Sequence, residues 1–113
     1  MRCRVDKEVF DELLKSNDVT TLCASMVDLA FDKDTDFPWF EGRCVALLMH
    51  PAQDVRGLAA TCLGHVAQHT GTLSADTVAL LRALKNDLSI GGRIQDALDD
   101  WQQFARHDVQ VKG

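Results

Sequence analysis

HPAQDVRGLAATCLGHVAQH, residues 50–69, states a whole structural unit. Pro51 ends one helix, and Asp54 is expected to cap the next. Within that second helix Val55, Leu58, Ala59, Cys62, Leu63 and Val66 recur at steps of three and four, the spacing of one face of an α-helix. The segment before it, Phe40 to Met49, carries Phe40, Cys44, Val45, Leu47 and Leu48. Two short amphipathic helices therefore meet across a tight turn as a helical hairpin.

Working outward, the same construction recurs on both sides. Val9, Phe10, Leu13 and Leu14 line a short helix from about Asp6 to Lys15, and Ser16-Asn17 stops it. Asp18 can cap a second helix from Val19 to about Ala30, with apolar positions Val19, Leu22, Cys23, Met26, Val27, Leu29 and Ala30. The run FDKDTDFP has too many short polar side chains competing for backbone hydrogen bonds to continue that helix, and Pro38 suits the first turn of the third. Beyond the central stretch Gly71 breaks the chain, and Ser74 caps a fifth helix with Asp76 against its positive end and Val78, Leu80, Leu81 and Leu84 facing inward. Ser89 is expected to cap a sixth, whose face is Ile90, Ile94, Ala97, Leu98, Trp101 and Phe104. The lead-in MRCRVD and the tail after Arg106 are expected to be loose. No alternating run of β-branched residues predicts a strand.

The hairpins repeat. A shift of 36 lays Val19 on Val55, Asp18 on Asp54, Cys23 on Ala59 and Met26 on Cys62; a shift of 35 lays Val55 on Ile90, Ala59 on Ile94, Cys62 on Ala97 and Leu63 on Leu98. Paired helices with a period in the mid-thirties belong to an α-solenoid, in which each hairpin buries its face against its neighbours. The predicted architecture is all-α: a solenoid-like stack of three antiparallel hairpins and six helices in one domain over 1–113, the hairpins at about 6–30, 38–69 and 74–106.

Composition bounds the function. A formal charge of −5, from 17 acids against 12 bases, argues against nucleic acid, because phosphate binding needs a basic patch. A basic protein partner fits better. Acids gather in the first half, with Asp28, Asp32, Asp34, Asp36 and Glu41 close together, which is what either a solvated face or a binding patch produces. The start carries no n-region, long apolar run or cleavage site, so a cytoplasmic protein with neither secretion signal nor membrane span is expected. Cys3, Cys23, Cys44 and Cys62 form no CxxC pair; at least three of the four read as small core residues, and neither disulfides nor a zinc site are expected.

Candidate chemistry fails on spacing. His65 and His69 are four apart, but HVAQH has Val66 where a zinc protease needs glutamate. Asp32, Asp34 and Asp36 open like a calcium loop, but its sixth position is Phe37 and its twelfth Arg43. Tyr is absent, no GxSxG or phosphate-binding loop occurs, and Asp99 and Asp100 point apart on a helix. No catalytic residue, metal or cofactor is therefore assigned, and an enzyme is not expected. What remains is surface. In stacked hairpins the second helices share one face, where Asp28, His65, Asp96 and Asp100 would meet as an acidic groove, with Asp99 beside them. Asp34, Asp36 and Trp39 are further candidates for partner contact, Trp39 as an interface anchor.

The central unit resembles a HEAT repeat: the pattern DVRxxAxxxLG reads here as Asp54, Val55, Arg56, Ala59, Leu63 and Gly64. The outer units depart from it, with Thr20 and Gly91 where Arg56 stands. Gly64 costs about 1 kcal/mol in a helix interior, which close helix approach can offset. A compact, acidic HEAT-like chain is similar to small bacterial immunity proteins of contact-dependent or polymorphic toxin systems, and GRIQDALDDW, Gly92 to Trp101, looks like the closing helix of such proteins. That resemblance implies binding to a cognate toxin domain, a basic nuclease being the natural class. A scaffold or adaptor subunit is the alternative, and a HEAT-like enzyme a remoter one.

Overall fold

The computed structural model describes residues 6–112, with side chains described as far as Phe104. Six helices follow one another: α1 (Lys7–Lys15), α2 (Val19–Phe31), α3 (Phe37–Leu47), α4 (Gln53–Thr70), α5 (Ala75–Leu84) and α6 (Gly91–Lys112). There is no strand among the described residues. Cys3 and most of the MRCRVD lead-in lie outside them.

Local chemistry sets most helix boundaries. Asp6, Asp18, Asp36 and Ser74 each accept the backbone N–H three residues on, from Val9, Thr21, Trp39 and Thr77, satisfying a donor the first turn leaves free. Pro38 stands in the first turn of α3. Gly71 closes α4 in the left-handed region at φ 78°, its N–H donating to the Ala67 carbonyl. Two expected caps are corrected. α4 starts at Gln53 with Ala52 at the cap position and no side-chain cap, so Asp54 sits in the first turn. The His50 ring takes the Ala52 N–H through Nδ1, fixing the turn one residue earlier. Ser89 does not cap α6: its N–H and hydroxyl both donate to the Asp87 carboxylate, while Ile90 and Gly91 donate to the Asp87 carbonyl. The last helix also runs past Arg106 to Lys112, where a loose tail was expected.

α4 is the central element. It packs on α3, α2 and α6, while α1 packs on α2 and α5 on α6. One apolar cluster draws on all six helices, with Phe10, Leu22, Met26, Phe40, Leu63, Leu81 and Ile94 at or near zero exposure. Burying such a side chain is worth about 1.5–3 kcal/mol each. Cys44 and Cys62 are in this core, and Cys23 packs against it half-buried. Val27, assigned inward from its spacing, is exposed instead.

Long-range contacts between helices recur at similar sequence offsets. The Cys62 thiol reaches the Met26 carbonyl at 3.8 Å across 36 residues. Glu41 on α3 accepts from the Ser74 N–H and, at 2.6 Å, from the Thr77 hydroxyl on α5. Gln53 donates to the Ser89 carbonyl, and Arg56 donates to the carbonyls of His50 and Pro51 and to the Ser89 hydroxyl. Arg56 thus ties the α3–α4 turn to the α5–α6 turn. Where α4 meets α6, a Cβ added at Gly64 would stand 2.8 Å from Asp100 Oδ2 and 3.4 Å from Ala97 Cα. The expected close approach at Gly64 is therefore present.

Candidate partner-binding face

The three longest helices, α2, α4 and α6, pack side by side with α4 in the middle. On α2, Phe31 is 63% exposed and its ring lies 4.6 Å from the His65 ring on α4. Gly64, the residue before His65, faces Asp100 on α6, and Asp96 stands one turn earlier on that helix. Asp28 is one turn before Phe31 on α2. Asp28 and Asp96 are exposed; His65 and Asp100 are half-buried. Of the eight residues expected to meet a partner, these four come from helices that pack side by side.

Asp99 is exposed on a neighbouring stripe of α6 and accepts from the Gln95 amide. Gln95, not Asp99, lines a concavity of about 300 Å³ between α5 and α6, together with Arg82, Lys85, Leu98 and Trp101.

The other three residues form a separate region around the α2–α3 loop. Asp34, Asp36 and Trp39 line a concavity of about 300 Å³ with Asp6 and Lys7. Asp36 is occupied at once as the α3 cap and as the acceptor from Lys7 Nζ at 2.6 Å, and that hydrogen bond holds its carboxyl below the usual carboxylate range. The Trp39 ring sets its edge on Phe10 at 5.7 Å, with Lys7 and Arg43 over it at 5.6 and 5.5 Å. Arg43 in turn forks onto Asp11. Trp39 is thus a half-buried joint between α1 and α3, closed over by two cations of its own chain.

His65 and His69 each face an aromatic ring, His69 stacking on Phe37 at 4.9 Å. Among the described residues no three His, Cys, Asp or Glu side chains gather as a metal-ligand set. No helix among them is long and apolar enough to cross a membrane.

Phe31 is the residue that sequence reasoning missed. It was grouped with the polar loop, yet it is the last residue of α2 and continues the exposed Val27 position at a step of four. Comparison with protein-family models, with curated proteins and with solved structures gave no match.

Proposed function

We propose that the chain is a small protein-binding module in which three antiparallel hairpins stack as in HEAT repeats and the second helices present an acidic face to a basic partner. Support for the stack comes from the recurring offset. Met26 meets Cys62, Glu41 meets Thr77 and Gln53 meets Ser89, each pair 36 residues apart. The sequence repeats at nearly the same spacing, with shifts of 36 and 35. A thickness of 19 Å in the shortest dimension fits two layers of helices about 10 Å across.

What supports the functional reading is that Asp28, His65, Asp96 and Asp100 lie on α2, α4 and α6, helices that pack side by side. Such a face in a chain of net charge −5 attracts a basic partner, speeds encounter and loses that advantage as salt rises. The resemblance to bacterial immunity proteins names the partner class: a toxin domain, a basic nuclease fitting the charge, which the module neutralises by occupying it rather than by catalysis.

The test uses the polypeptide encoded beside this chain in its own genome. Co-expression is expected to relieve the growth arrest that polypeptide causes alone, and calorimetry to show a complex weakened by salt and by D96K/D100K. Arrest that persists, or affinity indifferent to the charge reversal, overturns the reading.

A further inference from the structure

Both tryptophans, half-buried, have cations of their own chain over their rings. Lys7 and Arg43 lie over Trp39, and Arg82 lies over Trp101 at 5.5 Å. Phe31 is the most exposed ring among the described residues. It is more open than either, its ring neighbour is His65, and no cation of the described chain covers it. Asp28, on the same side of α2, makes no ion pair or side-chain hydrogen bond among the described residues. Val27, 39% exposed, adds apolar surface beside both.

An open ring, a free carboxylate one turn away and a short apolar flank match one side chain closely. A guanidinium is flat and weakly hydrated, so it stacks on an aromatic face while its N–H fork bonds a carboxylate. Its aliphatic stem can lie along Val27. An ammonium is a compact, strongly hydrated charge, which gains at the carboxylate but less at the ring.

Resting on the acidic-face reading above, we propose that Phe31 and Asp28 form a seat for an arginine side chain of the basic partner, with His65 holding the Phe31 ring in place. The seat makes arginine, rather than positive charge alone, the feature this end of the face selects.

Labelled octa-arginine and octa-lysine peptides, titrated against the full chain by fluorescence anisotropy at low salt, test this. The native protein is expected to bind octa-arginine about two- to fivefold more tightly than octa-lysine, the range that one exposed cation–π contact supplies. Phe31→Ala should remove most of that preference while leaving octa-lysine affinity within about twofold. Phe31→Leu, which keeps the apolar bulk, should behave the same way, and Asp28→Asn should weaken both peptides. Equal affinities for native protein, or a preference that survives both Phe31 variants, overturn the arginine seat and leave the acidic face standing. If neither peptide binds, the acidic-face reading falls and the seat with it.

Discussion

Gly64→Ala tests the geometry on which the shared face depends, because it sets two effects of similar size against each other. Gly42 supplies the scale: it is exposed within α3, an added Cβ there meets nothing within 4 Å, and Gly42→Ala should stabilise by about 1 kcal/mol from helix propensity alone. For a chain of this size that raises Tm by about 4 °C. At Gly64 the same gain is opposed. The new methyl meets Asp100 Oδ2 at 2.8 Å, so the carboxylate must swing away, while Ala97 Cα at 3.4 Å is left in van der Waals contact with no room to spare. The expected result is a stability within about 0.5 kcal/mol of the native protein, read from urea unfolding followed by helical circular dichroism. Removing the obstructing carboxylate should return the gain, so Gly64→Ala in an Asp100→Ala background should stabilise by about 1 kcal/mol relative to Asp100→Ala. Gly64→Val, which drives branched carbons at the Ala97 backbone, should cost about 2 kcal/mol. If Gly64→Ala stabilises as much as Gly42→Ala, or if Gly64→Val is neutral, α4 and α6 do not approach as described and the reasoning fails.

Three further outcomes are expected. Glu41→Ala should destabilise by about 2 kcal/mol in urea unfolding, because one carboxylate oxygen accepts from both the Ser74 N–H and the buried Thr77 hydroxyl; Glu41→Gln should cost less. The folded-state pKa values of Asp11, Asp18, Asp36 and Asp87 are lowered by hydrogen bonds from Arg43, Thr21, Lys7 and Ser89. Folding therefore favours the ionised forms. The stability they add is present above the ordinary value of 3.8 and lost as pH falls through the lower folded values, so the urea midpoint should drop below about pH 4 and Asp11→Asn/Asp36→Asn should flatten the drop. Burial pushes the Cys44 thiol well up and the Cys23 thiol up by less, so in a timed thiol-labelling experiment read by mass spectrometry Cys23 should react before Cys44, which should become reactive only on unfolding.

What was legible in the sequence was what local rules decide. The apolar spacing of Val55, Ala59, Cys62 and Leu63 marks a helix whatever surrounds it, and each of these residues is buried. Asp18, Ser74 and Gly71 act within a few residues of themselves, so their roles were readable from order alone. The misassignments came from side chains acting across a turn. The turn in which His50 accepts from Ala52 lets α4 start at Gln53, ahead of Asp54 and with no side-chain cap, and Asp87 claimed the hydroxyl of Ser89. α2 carries apolar residues around much of its circumference, so spacing did not reveal that Val27 and Phe31 face outward. The candidate face was legible in part. Asp28, His65, Asp96 and Asp100 could be grouped once the repeat was seen. Lys7 engages Asp36 and Trp39 from another helix, 29 residues before Asp36, and had no local signal, whereas Arg43 covers Trp39 from one turn further along the same helix, a spacing that sequence order alone could have offered.

The most direct measurement is an amide-shift titration of the isotopically labelled full chain with octa-arginine at low salt. The account predicts that the largest changes fall on α2, α4 and α6, around Asp28, Phe31, His65, Asp96 and Asp100. Changes centred instead on α1 or on the α2–α3 loop around Asp34 and Asp36, or spread evenly over every acidic residue, would contradict it.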